Sequence, residues 1–219
     1  EHMIFKGTPT RGLGRVAGDI EDVGGRINAY TSFEYTVYHA TLSARFWERG
    51  LDVLNDAVRH SLFDPSELER EKKVILEEIR MRNDRPETKL FEQLMTTAYT
   101  VHPYRLPVIG TEESVTSFTR DDILNYMQGH YHAENFTVLV VGDVRYADIL
   151  SAVKNLMGDI EEGDHIQPPL PQEPDQEASR FFQRKDDINQ THLALAFPVT
   201  PFVHPDTPVL DVIAAILGQ

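Results

Sequence analysis

The segment from residue 64 to about residue 82 constrains the fold most, because it reads as one long helix with a marked beginning. Asp64 can cap the helix, Pro65 suits its first turn, and Glu67 follows three residues after the cap. At 100° per residue, one stripe of this helix combines apolar side chains with two carboxylates: Leu68, Glu71, Val74, Ile75, Glu78 and Ile79. A buried carboxylate is costly unless a cation or hydrogen-bond donors meet it, so the two glutamates require partners.

Two kinds of partner are open for Glu71 and Glu78. A metal ion would compensate both charges, and so would a buried salt bridge to Arg82 or to another arginine. The chain contains no cysteine, so a metal would have to be held by imidazole and carboxylate groups. The opposite face of the helix is predicted to be an ordinary solvated surface, with Glu69, Arg70, Lys73 and Glu77.

Charge and hydropathy exclude two classes of partner. The formal net charge of -14 opposes nucleic-acid binding, which draws most of its affinity from basic residues that neutralise phosphates. No apolar run approaches the roughly 18 residues that a membrane-spanning helix needs, so no membrane span is expected. The composition leaves the compartment unknown, because the cytoplasm, the periplasm and the mitochondrial matrix are all compatible with it.

The remaining periodicities predict an α+β fold, with a mixed or antiparallel sheet flanked by helices. Strands are expected within residues 27–43, 136–144 and 181–199, and helices over residues 13–23, 46–62, 64–82, 86–99, 120–131, 146–157 and 208–217. Residues 161–179 are rich in proline and acidic residues, which is typical of a linker. We therefore predict a first domain over 1–160, a linker over 161–179 and the beginning of a second, homologous domain over 180–219.

Several segments resemble the pitrilysin and mitochondrial processing peptidase family. They are Glu1-His2-Met3-Ile4-Phe5-Lys6-Gly7-Thr8, Gly24-Gly25-Arg26-Ile27-Asn28-Ala29-Tyr30-Thr31-Ser32, the His102-Pro103-Tyr104 loop, and residues 135–144. In this family an inverted zinc motif, H-x-x-E-H, is followed about 76 residues later by a glutamate ligand. Glu1-His2 matches the last two motif positions, and the same count from His2 reaches Glu78, the carboxylate that the helical period also places on the apolar stripe.

The resemblance implies a zinc site and assigns roles to its residues. The ligands of Zn²⁺ would be a histidine three positions before Glu1, then His2 and Glu78, with water in the fourth position. Glu1 would be the general base, and Glu71 a second acidic residue that orients or electrostatically supports the site. The substrate would lie along an edge strand that contains Asn28, Ala29, Tyr30 and Thr31.

The function implied by the resemblance is that of a zinc metalloendopeptidase acting on peptides or short unfolded polypeptides. Such enzymes enclose the substrate between two halves of a clamshell, and the second half would lie on the same chain, on a partner subunit or in a dimer. Because the first histidine would precede Glu1, we expect residues 1–219 alone to be an amino-terminally truncated, inactive fragment. The alternatives are a non-catalytic homologous subunit that binds peptides or partners, and a structural module with salt-bridged glutamates.

Overall fold

The computed structural model describes residues 1–163 and 169–218. The described residues form two compact units, of which the first comprises Glu1–Asp84 and Pro107–Leu170 and the second comprises Arg85–Leu106 and Pro171–Gln219. Part of the predicted linker, residues 164–168, lies outside the described ranges. The domain boundaries derived from the sequence stay a prediction.

The architecture is α+β, as predicted, with one antiparallel hairpin among many helices. The hairpin joins β1 (Arg26–Thr31) to β2 (Thr36–Thr41), and Arg26 lies opposite Thr41. In chain order the helices are α1 (Arg15–Glu21), α2 (Trp47–His60), α3 (Pro65–Asn83), α4 (Pro86–Ala98), α5 (Glu112–Ser117), α6 (Arg120–His130), α7 (Tyr146–Met157) and α8 (Thr207–Leu217). Single-turn 3-10 helices occupy His2–Phe5, Ala44–Phe46, Pro103–Arg105 and Ala133–Asn135.

Helix α3 begins where its capping residues predict. The Asp64 side chain accepts hydrogen bonds from the backbone amides of Ser66, at 2.8 Å, and Glu67, at 3.1 Å. These bonds satisfy two of the amide groups that a helix leaves unpaired in its first turn. The residues expected on the solvated face, Glu69, Arg70, Lys73 and Glu77, are all exposed, which confirms that part of the pattern.

The transition from α1 into β1 depends on two consecutive glycines. Gly24 has a φ of 74°, a left-handed conformation that favours glycine and reverses the chain after the helix. A Cβ atom on Gly25 would come within 2.8 Å of Ile20 and 2.9 Å of Leu42, so the backbone there is packed too closely for a side chain. Helix α1 ends at Glu21, two residues before the predicted end at Val23, and Gly24-Gly25 turn the chain into the hairpin that lies against α1.

The core of the first unit joins the start of the chain to α1, α2 and α3. Its buried members come from each of these segments: Met3, Ile4, Val16, Ile20, Val53, Ala57, Val58, Phe63 and Leu68. Partly buried side chains of the hairpin, including Ile27 and Tyr38, pack against this cluster. Burial of apolar surface thus fixes the first residues of the chain against α3.

The second unit contains α4 and α8, and both helices lie close to their predicted ranges. Each has a proline in its first turn, where the missing amide proton costs no hydrogen bond. None of the helices in the described part of the chain combines the length and the apolarity that crossing a membrane requires.

The strands predicted over 136–144 and 181–199 are wrong, since β1 and β2 are the strands found within residues 1–163 and 169–218. Both stretches instead lack regular secondary structure, and apolar side chains such as Leu139 and Val141 are 83% and 87% exposed. A strand is defined by hydrogen bonds to a neighbouring strand, whereas an apolar pattern reports only a tendency to be buried. The described residues offer these segments no such neighbour.

The predicted apolar stripe of α3 is also narrower than expected. Leu68, Glu71 and Ile79 are buried, but Val74 is 52% exposed. The helical period places a side chain on a face, and only the neighbouring elements decide how far along the helix that face is covered. The prediction that Val74 belongs to the buried stripe of α3 is therefore wrong.

One residue of the predicted linker makes specific contacts within the second unit. The Glu173 carboxylate accepts hydrogen bonds from the backbone amides of Thr100, Val101 and His102 and from the Thr100 hydroxyl, at 2.6–2.9 Å. Desolvation by itself would raise the pKa of Glu173, but these four donors outweigh it and lower the pKa to about 2. Proline-rich and acidic sequence therefore does not prevent this segment from docking on the loop after α4.

Substitutions at two positions of α3 test the corrected stripe. Ile79→Ala is expected to lower the free energy of unfolding by about 2–5 kcal/mol, because it leaves a cavity at a side chain that is 6% exposed. Val74→Ala should change it by less than about 0.5 kcal/mol, because Val74 is exposed and alanine favours a helix. Urea unfolding of the chain measures both values, and equal losses would show that Val74 is buried.

The Glu173 contact predicts a pH dependence of stability. Because the folded pKa is about 2 and the ordinary value is 4.5, the contact stabilises the fold fully above pH 4.5 and loses this contribution as the pH falls toward 2. Glu173→Gln should flatten this part of the stability profile, measured by urea unfolding on both sides of pH 4.5. The neighbouring exposed variant Glu177→Gln is the control, and an unchanged slope in Glu173→Gln would contradict the assignment.

Candidate metal centre

His2 stands at the beginning of the 3-10 helix His2–Phe5, and its neighbours fix its position. Met3 and Ile4 are buried in the core, and the Ser61 hydroxyl donates a hydrogen bond to the Ile4 carbonyl at 2.7 Å. The backbone of this segment is therefore anchored on the side of the core. The His2 ring extends from it toward α3.

The imidazole ring of His2 lies between the two carboxylates of α3 that the sequence singled out. Its Nδ1 atom is 3.0 Å from Oε1 of Glu71, and its Nε2 atom is 3.8 Å from Oε2 of Glu78. The two glutamates are seven residues apart, almost two helical turns, so they lie on the same face of α3. Three of the predicted site residues thus meet in one place.

Glu71 is the buried carboxylate of this group, with 7% of its surface exposed. Oε2 forms an ion pair with Nζ of Lys6 at 2.5 Å, and Oε1 accepts a hydrogen bond from Nδ1 of His2. Burial alone would raise the pKa of Glu71, but the hydrogen bonds from Lys6 and His2 outweigh it and hold the pKa below its usual value. The compensating side chain is a lysine, a partner that the sequence analysis did not consider.

These contacts determine which nitrogen of His2 carries the proton. An ionised carboxylate only accepts hydrogen bonds, so Nδ1 must be the donor toward Glu71. In the neutral ring the lone pair then remains on Nε2, the nitrogen that faces Glu78. A histidine prepared in this way is typical of metal ligands, which commonly donate their other ring proton to a carboxylate.

Glu1 lies at the end of the predicted substrate strand. Its Oε2 atom accepts a hydrogen bond from the Thr31 hydroxyl at 2.5 Å, and Thr31 is the last residue of β1. Residues 28–31 all belong to β1, whose partner strand in the described part of the chain is β2. The second edge of β1 is therefore not paired with another described strand.

Two tyrosine hydroxyls lie in the neighbourhood of Glu1. The hydroxyl groups of Tyr38 and Tyr131 are 2.8 Å apart. Burial raises the pKa of both groups, and the nearby charge of Glu1 adds to this effect. Both tyrosines therefore stay neutral over the physiological range. Neither tyrosine lies in a recognisable motif, and their separation of 93 residues hides the contact from the sequence.

The loop that follows Lys6 is held by a charged cluster around Arg11. Its guanidinium group forms ion pairs with Asp19 at 3.0 Å, with Asp56 at 2.6 Å and also with Asp52. Asp56 is buried and accepts a further hydrogen bond from the Thr8 hydroxyl at 2.7 Å. The cluster ties the loop to α1 and α2, and so it limits movement of the adjacent segment with His2 and Lys6.

His2 and Glu78 present one nitrogen and one oxygen of the kinds that bind zinc. Two donors bound to zinc at 2.0–2.2 Å in a tetrahedral site lie about 3.4 Å apart. The 3.8 Å between Nε2 of His2 and Oε2 of Glu78 is slightly longer, so a small movement of either side chain would bring the pair to that separation. Residues 1–163 and 169–218 contain no group of three or more histidine, aspartate or glutamate side chains arranged for a metal ion. A metal ion at this pair would need further donors.

Comparison with known proteins identifies related sequences along the whole chain. Residues 1–112 match the family model described as "Insulinase (Peptidase family M16)", and residues 117–219 match the one described as "Peptidase M16 inactive domain". Similar proteins include the uncharacterized zinc protease YmxG of Bacillus subtilis, with 33% identity over 100% of this chain and 52% of that protein. Another is the mitochondrial-processing peptidase subunit beta of Rattus norvegicus, with 32% identity over 100% of this chain and 45% of that protein.

Solved structures of similar fold include two proteases. A protease from Helicobacter pylori has a TM-score of 0.76 and 30% identity, covering 82% of this chain and 44% of that one. The periplasmic protease PqqL from Escherichia coli, at 23% identity and a TM-score of 0.69, supports the fold alone. This chain spans about half the length of the curated relatives that it matches. With a family model matched over residues 1–112, the chain belongs to peptidase family M16, the insulinase family.

Proposed function

We propose that the protein containing this chain is a zinc-dependent endopeptidase that hydrolyses peptides or short unfolded polypeptides. The observation that carries the proposal is the position of the His2 ring, with Nδ1 toward Glu71 and Nε2 toward Glu78. A metal-binding histidine commonly donates one ring proton to a carboxylate and leaves its other nitrogen free for the ion, and His2 has this arrangement. The names of the relatives, zinc protease and mitochondrial-processing peptidase, support the same reaction class.

His2 and Glu78 would hold the zinc ion, together with a histidine three positions before Glu1. Zinc bound there would act as a Lewis acid that lowers the pKa of water and polarises the peptide carbonyl. Glu71 would not bind the ion, because both of its oxygens are engaged by His2 and Lys6. It would instead orient the ring of His2.

Glu1 is proposed as the general base. Its carboxylate is exposed and accepts a hydrogen bond from Thr31, which orients it without burying it. It would take a proton from the attacking water as the new carbon–oxygen bond forms. The same proton would then pass to the amide nitrogen as the carbon–nitrogen bond breaks, so that Glu1 returns to its ionised form.

The strand β1 is proposed to bind the substrate along residues 28–31. An extended peptide can add to an unpaired strand edge through backbone hydrogen bonds, which are the same for every sequence. Because Thr31 contacts Glu1, a peptide on this edge would pass close to the proposed base. Such pairing requires an extended backbone, which short or unfolded polypeptides offer more readily than folded proteins do.

A second half, on the same chain or on a partner subunit, is proposed to close over the substrate. The similar Helicobacter pylori protease is matched over 44% of its length, so more than half of that protein lies beyond the matched region. The first unit also exposes apolar side chains, such as Leu139 and Val141, of the kind that protein contacts usually cover. A dimer would serve the same purpose if each copy contributed one half.

Substitution of the proposed base should separate catalysis from metal binding. In a protein that includes the residues before Glu1, Glu1→Gln should retain one zinc ion, because Glu1 is not a ligand. Peptide cleavage should fall by about 100-fold or more, since a general base contributes roughly that much. Zinc content from elemental analysis and kcat on a fluorogenic peptide measure the two effects. Cleavage at the parent's rate would exclude Glu1 as the base, and a parent without zinc or activity would favour the non-catalytic subunit.

Substitution of the proposed ligand has a matched control on the next residue of α3. Glu78→Gln should lower zinc affinity by more than about 100-fold, because loss of even an outer-shell group commonly costs 10–100-fold. Glu77→Gln should leave the affinity unchanged, since Glu77 is exposed and pairs with Arg80. Competition with a chelating dye measures both affinities. Equal affinity for the two variants would exclude Glu78 as a ligand.

A further inference from the structure

Lys6 is a charged neighbour of the proposed metal centre that belongs to none of the roles above. It directly follows the 3-10 helix His2–Phe5, and its amide donates to the Met3 carbonyl at 3.2 Å. Its side chain is partly buried and reaches back to α3, where Nζ lies 2.5 Å from Oε2 of Glu71. Lys6 therefore connects the segment that carries His2 to the helix that carries Glu78.

The two oxygens of Glu71 have different partners, and this division gives the carboxylate a fixed orientation. Oε1 accepts from Nδ1 of His2 at 3.0 Å, while Oε2 pairs with Lys6. Because Glu71 is buried, water has little access to replace either partner. The ammonium group thus determines how the carboxylate plane is turned toward the ring.

Without Lys6, Glu71 would be an anionic side chain on the same face of α3 as Glu78, close to a bound cation. A carboxylate with one free oxygen is itself a good zinc ligand. Loss of the hydrogen bond from His2 would also free the ring to rotate or to change its tautomer. The two glutamates therefore differ in their relation to the ring. Glu71 accepts the proton of Nδ1, and Glu78 faces the unprotonated Nε2.

We propose that Lys6 is a positioning residue, which holds Glu71 in place so that Glu71 orients His2 and stays off the metal. This inference rests on the proposed zinc site and adds a determinant of its affinity. Lys6 acts through Glu71 and needs no contact with the metal or the substrate. A positive charge at this point is required, and an apolar side chain of similar length would not replace it.

The test compares three variants of the intact protein. Lys6→Met removes the charge but keeps much of the apolar stem, and it should lower zinc affinity about 10–100-fold in competition with a chelating dye. Lys6→Arg keeps the charge and should retain most of the affinity. Lys72→Met is the matched control, because Lys72 pairs with Glu69 on α3, at 2.7 Å, outside the site, and it should leave the affinity unchanged.

A second measurement needs no zinc and no activity. In the metal-free protein, ¹⁵N chemical shifts of the His2 ring should show the Nδ1–H tautomer for the parent and for Lys6→Arg. Lys6→Met should show a mixture of tautomers, because Glu71 no longer holds the ring. Circular dichroism and the urea midpoint confirm that each variant is folded, and Lys6→Arg keeps the test informative if Lys6→Met does not fold.

The outcomes distinguish this inference from the proposed function. Unchanged affinity and an unchanged tautomer in Lys6→Met would overturn the role of Lys6 and leave the zinc site intact. Equal losses in Lys6→Met and Lys6→Arg would overturn it as well, since the charge would then not be the determinant. A parent that binds no zinc would refute the proposed function, while the tautomer would still decide whether Lys6 orients His2.

Discussion

The contact of one imidazole ring with two carboxylates of α3 is the constraint on which the site depends. His2 comes from the first turn of the chain, and the glutamates come from the middle of a helix about 70 residues later. The ring can reach them because Met3 and Ile4 pack in the same core as Leu68 of α3. Apolar burial therefore supplies the free energy that brings the polar groups together. Contacts between the polar groups then set the orientation of the His2 ring.

The two glutamates of α3 differ in environment, and this difference separates their roles. Glu71 is buried, and it is balanced by a lysine and an imidazole. The side chain of Glu78 is 41% exposed and faces the remaining ring nitrogen, where a cation could approach. Burying a carboxylate costs free energy, and an ion pair offsets this cost only when its geometry is good. The position of Glu71 therefore depends on its contacts with Lys6 and His2.

Membership of peptidase family M16 relates this arrangement to proteolysis. The relatives are about twice as long as this chain, so further residues would belong to the complete protein. The chain covers about half of the curated relatives, and it contains His2 and Glu78, the two residues proposed here as metal ligands. The proposed zinc site needs a further ligand. The β1 edge and the exposed apolar side chains of the first unit would be covered by substrate or by the second half. Activity and substrate are therefore properties proposed for the whole protein.

Features that depend on neighbouring residues along the chain could be predicted before the fold was known. Local propensities and periods predict the cap at Asp64, the turn at Gly24-Gly25 and the ranges of α3 and α7. The same period placed Glu71 and Glu78 on one face of α3. The pairing of Glu1-His2 with Glu78 came from a resemblance, because no local rule connects residues about 76 positions apart.

Contacts between distant side chains could be seen only in the folded protein. The tertiary structure exposed Val74 and left residues 136–144 and 181–199 without strand partners, since burial and strand pairing depend on elements across from a segment. It also joined Lys6 to Glu71, Tyr38 to Tyr131 and Glu1 to Thr31. A lysine at position 6 has the same local properties as any surface lysine, and it becomes part of a site only because folding brings α3 to it.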